Sequence, residues 1–225
     1  APKNFSDNSI VLSVNSGCVF GQPIAPDYIV KDGETVLTKE TDYTEQLTGI
    51  EKAGTARITI TGTGNYTGTK NTTFAIEKAT ITGDAVTLSA SELRYNRMEQ
   101  RPDVTVKVGT ATLVLGTDYH CEVTNNRNVG TATVKVTGMN NYQSEVTKTF
   151  AITPAPLTIQ NVTIKAKNYD GTVDAEVDAV TFDGLLEGES VDYTAGNVKF
   201  NSQNVEDADT VTGTITLNED VTNYT

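Results

Sequence analysis

Apolar and polar residues alternate along this chain with the period of two that gives a strand one dry face and one wet face. Ala56, Ile58 and Ile60 are separated by Arg57, Thr59 and Thr61, and Ala132, Val134 and Val136 by Thr133, Lys135 and Thr137. Val104, Val106 and Val108 form another inward row, matched earlier by Tyr28 and Val30. Turn chemistry punctuates the rows at Lys31-Asp32-Gly33, Gly62-Thr63-Gly64-Asn65, Asn125-Asn126 and Asp183-Gly184. The pattern predicts many short strands and an all-β fold. Ser91 to Gln100 is the one stretch with helical character, but its counterpart Phe20 to Ala25 contains Gly21 and Pro23. A helix cannot be sustained in both copies, so none is predicted.

The rows recur because the chain is duplicated at a spacing of 76 residues. Asp42-Tyr43, Gly54-Thr55-Ala56, Gly62, Asn65-Tyr66 and Thr73-Phe74-Ala75-Ile76 return as Asp118-Tyr119, Gly130-Thr131-Ala132, Gly138, Asn141-Tyr142 and Thr149-Phe150-Ala151-Ile152. The two copies align without a gap from Pro26 to Glu77, which is duplication and not shared composition. Three units are expected: residues 1–78, 79–153 and 154–225. Each is large enough for one modest core between two sheets, the pattern of a β-sandwich. Tyr66, Tyr142, Phe74 and Phe150 are read as core and corner residues, not as a sugar-stacking site. The junctions are short, and Pro154 and Pro156 stiffen the second. Strands of seven to nine residues make each bead roughly 25–30 Å long, and three in line would reach roughly 80–100 Å. The third unit stops at Asn223-Tyr224-Thr225, where the earlier units have a closing Phe-Ala-Ile strand to come. Ala1-Pro2-Lys3 begins no signal peptide. The chain is therefore expected to be a piece of something longer.

Charge narrows the function. The net charge of −12 argues against nucleic acid, which needs a basic footprint. From Pro154 onward there are 13 acidic residues against Lys165, Lys167 and Lys199, a net of −10, which leaves −2 for the first two units. That is a soluble, self-repelling surface on the third unit. Cys18 and Cys121 sit at non-equivalent positions in different units, so they are not a duplicated bridge; whether they pair is left open. Alternation with Tyr119 and Val123 places Cys121 on an inward face.

Catalytic chemistry finds little to work with. His120 is the single histidine, and its neighbour Cys121 faces the other side of the strand, so the two cannot converge on one reacting atom. Neither a phosphate loop nor a thiolate or histidine metal motif is present. The acidic loops offer calcium candidates, Glu187, Glu189 and Asp192 in one and Glu206, Asp207 and Asp209 in the other. Neither has the spacing of a calcium loop, and a solvated acidic surface accounts for both. No catalytic residue, cofactor or metal is expected.

Units one and two resemble the tandem immunoglobulin-like repeats of bacterial surface proteins. The resemblance rests on Tyr95, Pro102, Asp118-Tyr119, Asn128-Val129-Gly130-Thr131-Ala132, Gly138, Asn141-Tyr142 and Phe150-Ala151-Ile152. The first unit departs from that pattern, with Phe20 near the first Tyr and Lys52-Ala53 in place of Asn-Val. The third unit resembles the YDG-type repeat through Lys167-Asn168-Tyr169-Asp170-Gly171-Thr172, Gly184-Leu185-Leu186-Glu187-Gly188-Glu189 and Asn223-Tyr224. These resemblances imply an extracellular, non-catalytic segment of a bacterial surface protein, with modules in tandem as a stalk or spacer in an adhesin. The rest of that protein would be its main partner, with membrane or cell-wall attachment through other segments. The alternative function is a glycan- or host-protein-binding module, centred on the third unit. The alternative fold is a series of β-grasp-like repeats, each with one helix across its sheet.

Overall fold

The computed structural model describes residues 1–15, 17–219 and 221–225. It is all-β: among these residues there is no α-helix, only a 3-10 turn at Gly83–Ala85. The β-grasp alternative requires a helix packed on the sheet, and the structure excludes it. Ser91 to Gln100 contains the short strand Glu92–Arg94 followed by loop.

Two compact units are present. The first comprises Ala1–Ser89, Asp103–Glu122 and Val134–Lys148, the second Ala90–Pro102, Val123–Thr133 and Thr149–Thr225. In the first unit, the first sequence repeat forms two sheets. One has the order Ile10–Val14, Tyr28–Asp32, Thr35–Val36. The other has the order Cys18–Val19, Thr69–Glu77, Gly54–Gly62, Tyr43–Thr48. Their inward residues Ile10, Val30, Ala56, Ile58, Ile60 and Phe74 share a core, which Phe5 joins from the turn after Lys3–Asn4. The alternation read from sequence is the alternation of burial: Ala56, Ile58 and Ile60 are buried, while Arg57 and Thr61 are exposed and Thr59 is half-buried. Gly33, at φ +57°, closes the hairpin between Tyr28–Asp32 and Thr35–Val36, a conformation glycine adopts at no steric cost.

The second repeat copies this topology. Val86–Leu88, Val104–Val108 and Ala111–Thr112 make its three-stranded sheet. Glu92–Arg94, Glu145–Thr153, Gly130–Gly138 and Tyr119–Thr124 make the other, in the same order as the first copy. Ala132, Val134, Val136 and Phe150 are buried. His120 is exposed and Cys121 half-buried, as their alternation requires, and Cys18 is buried in the first core.

Each repeat is entered by a strand that pairs in parallel with that repeat's own Asn-Tyr segment. Lys3–Asn4 pairs with Tyr66–Thr67, and Ala79–Thr80 with Tyr142–Gln143. In the second unit the same pairing recurs as a bridge from Ala155 to Tyr224. Gly62 and Gly138 let the Asn-Tyr segment fold back close against the end of the strand before it. A Cβ at Gly62 would lie 2.6 Å from the Thr67 nitrogen, and one at Gly138 2.7 Å from that of Gln143.

The remainder of the second unit is two hairpins, Thr158–Ile164 with Val177–Asp183 and Tyr193–Phe200 with Val211–Leu217. From Pro154 onward, Ala155 and Tyr224 are the buried apolar residues among those described.

Candidate functional site

Two places combine repeated geometry or exposed chemistry: the junctions that follow each sequence repeat, and a cleft at the start of the third. The first junction lies wholly in the first compact unit. Asn141 accepts a hydrogen bond from the Ala53 backbone N–H at 3.0 Å through its side-chain oxygen, and through its backbone carbonyl one from Ala79 N–H at 2.9 Å. Tyr142 stands edge-on to Phe20, ring centroids 5.7 Å apart at 88°.

The second junction lies wholly in the second unit and reproduces these parts. Asn223 accepts from Val129 N–H at 3.0 Å and from Ala155 N–H at 3.0 Å. Tyr224 stands edge-on to Tyr95, 5.8 Å apart at 80°. Val129 is the residue 76 positions after Ala53, and each acceptor is the Asn of an Asn-Tyr pair. Edge-to-face rings and a hydrogen bond to a half-buried amide give direction as well as adhesion. The same constellation at two places is a built coupling and not a chance contact.

The second junction adds a charged centre. Glu189 accepts a hydrogen bond from the Tyr95 hydroxyl at 2.5 Å and another from the Tyr224 hydroxyl, with Arg97 Nε 3.5 Å away. Tyr224 also receives the Leu186 N–H, and Arg97 donates to the Glu187 carbonyl. Burial works against the charged form of Glu189, but the hydroxyls of Tyr224 and Tyr95 and the Arg97 charge prevail, and its carboxyl sits below its ordinary range. Burial pushes the Tyr95 hydroxyl up, and its hydrogen bond to Glu189 carries it to about 12.

This places the acids singled out as calcium candidates. Glu189 is turned onto two tyrosines, away from any shared site with Glu187 and Asp192, both exposed. Asp209 accepts from Asn201 at 2.8 Å, and Asp207 pairs with Asn204; Glu206 is exposed. Among the described residues, no three His, Cys, Asp or Glu side chains come together closely enough to hold a metal ion.

The cleft is lined by Lys167, Asn168, Tyr169, Phe200, Gln203 and Val205 among others, with a volume of about 170 Å³. Its floor is organised by Lys167, whose ammonium donates to the Asp174 carbonyl at 2.7 Å and to Thr172 Oγ1 at 3.0 Å, and pairs with Asp170 at 2.9 Å. Lys167, then the Thr172 backbone N–H and hydroxyl, hold the Asp170 carboxyl down at about 2. Tyr169 is left 69% exposed at the rim.

Residues 153–225 match the family model of the YDG domain. No curated protein and no solved structure matches the chain. The YDG match covers the unit that sequence reading assigned to this type, and the Tyr169-Asp170-Gly171 triplet lies in the loop that frames the cleft. Sequence reading missed the junction roles of Asn141, Asn223, Phe20, Tyr95 and Glu189. The signal available was the Asn-Tyr pair at 65–66, 141–142 and 223–224, shared by all three units.

Proposed function

We propose that this chain is a non-catalytic, extracellular segment of a bacterial surface protein, in which immunoglobulin-like β-sandwich modules followed by a YDG domain serve as a stalk. The observation that carries this reading is the duplicated junction. A module that couples to its successor through the same Asn acceptor and ring pair is suited to propagation in an array, where each member contacts only its neighbours. Coupling of this kind restricts swivelling at each joint, which a spacer needs and a flexible tether lacks. The YDG match and the duplication at 76 residues support the same reading.

Small-angle scattering tests it. Three modules in line are expected to give a radius of gyration of about 25–30 Å, from strand lengths of roughly 25–30 Å per module. A compact chain of 225 residues would give about 17 Å. A value near the lower figure would refute the stalk.

The YDG cleft favours a second reading, a glycan-binding module. An aromatic face left exposed beside amide and carboxylate groups suits a sugar, which stacks an apolar face and hydrogen-bonds its rim. A glycan array is expected to show a signal for the natural chain that Tyr169→Ala reduces by about threefold to tenfold, the range of one aromatic contact. Silence of the natural chain across the array would remove this reading and leave the stalk untouched.

A further inference from the structure

Within the YDG domain, apolar side chains that belong to a core are not covered. Ile159 is 49% and Val162 36% exposed. With Ile164, Val177, Val198, Val211 and Ile215 they line a cleft of about 270 Å³ between the two hairpins. Every residue from Val211 to Ile215 lines it, so the cleft runs along the edge of that strand and not only against one face. Val211–Leu217 pairs with Tyr193–Phe200 on one side. Among the described residues no strand pairs with its other edge.

The two sequence repeats place a strand there. In the first, Gly54–Gly62 has Tyr43–Thr48 on one side and Thr69–Glu77 on the other. The second has the same order, with Glu145–Thr153 beside Gly130–Gly138. Those added strands carry Phe74 and Ile76, or Phe150 and Ile152, all buried. In the YDG domain Val211–Leu217 occupies the place of Gly54–Gly62: it follows the strand Tyr193–Phe200 and precedes the Asn-Tyr pair.

We infer that the free edge of Val211–Leu217 and the apolar cleft beside it form an acceptor for one further extended strand. The strand has apolar residues at alternate positions and runs antiparallel to the edge, as Thr69–Glu77 does against Gly54–Gly62. An unpaired edge leaves its amides and carbonyls to water, and an open apolar cleft leaves its lining wet. One strand of this type relieves both at once, through main-chain bonds and through side chains seated in the cleft. The inference holds whether or not the modules serve as a stalk.

The test extends the full chain. In the first repeat Tyr66-Thr67 is followed by residues 68–77, and the chain also reads Tyr224-Thr225. A copy of residues 68–77 is therefore joined after Thr225. Amide exchange across Val211–Leu217 is expected to slow by about tenfold or more relative to the natural chain. The same extension carrying Phe74→Asp and Ile76→Asp in the copy is expected to leave exchange unchanged. A free peptide of residues 69–77 added to the natural chain supplies a second measurement, with protection of the same amides expected at high peptide concentration. Unchanged exchange in the extended chain would overturn the inference, as would equal protection by the aspartate version. Sedimentation showing two natural chains paired through this edge, with the added strand left unprotected, would replace it with a dimer.

Discussion

Phe74→Ala is expected to lower the unfolding midpoint of the first repeat by about 15–30 °C while leaving the YDG domain unchanged. Phe74 is 6% exposed and lies on Thr69–Glu77, the strand flanked on both sides in the four-stranded sheet. Its ring packs into the cluster that includes Ile58, Ile60 and Val30. Truncating a buried Phe to Ala costs about 3–5 kcal/mol, the lost transfer free energy plus the cavity left behind. A unit of this size has a total stability of about 4–11 kcal/mol, so the variant loses a large part of it, and a small domain shifts about 4–8 °C per kcal/mol. Residue-resolved exchange or thermal melting with a probe in each repeat checks the outcome. A drop below about 5 °C would show that the core at this site relaxes to fill the hole.

Glu189→Ala is expected to loosen the second junction by about 2–3 kcal/mol. The substitution leaves the Tyr95 and Tyr224 hydroxyls, on side chains only 5% and 6% exposed, without the carboxylate they share. An acceptor lost from a largely buried donor costs about 1–3 kcal/mol, lessened here by the part of Glu189 that water reaches. The readout is exchange at the Val129 amide, which Asn223 protects in the natural chain. The same centre predicts pH dependence of both signs. The Glu189 carboxyl is depressed in the folded chain, so its contribution is present above its ordinary value of 4.5 and fades as pH falls through the lowered one. Tyr95 is raised from 10.0 to about 12, so its contribution is intact below 10 and is lost as pH rises towards 12. Protection of the Val129 amide is therefore expected to be greatest between these limits and to weaken on either side. Glu189→Ala should flatten the acid arm.

Much of this fold can be read along the chain. The strand rows at Ala56–Ile60 and Ala132–Val136, the turn at Gly33 and the shared topology of the two repeats follow from alternation and duplication, because both are local or self-comparing signals. The absence of a helix at Ser91–Gln100 follows from comparing that stretch with Gly21 and Pro23. The junctions are a different matter. Ala53 meets Asn141 across 88 residues and Tyr95 meets Glu189 across 94, and no periodicity encodes a partner that far away. Glu189 illustrates the cost of reading charge from composition. Among acids in a loop it looks like one more solvated carboxylate, whereas two tyrosines and an arginine hold it half-buried. The uncovered apolar cleft of the YDG domain was also hidden, since Ile159, Val162 and Ile215 read as strand hydrophobics whether or not anything covers them.

The parallel pairing at the entrance of each repeat has a mechanical corollary. Lys3–Asn4 runs beside Tyr66–Thr67 and Cys18–Val19 beside Ile76–Glu77, so a chain under tension drags neighbouring strands past one another lengthwise. The bonds between them must then yield together, whereas a hairpin pulled from its open end unzips one rung at a time.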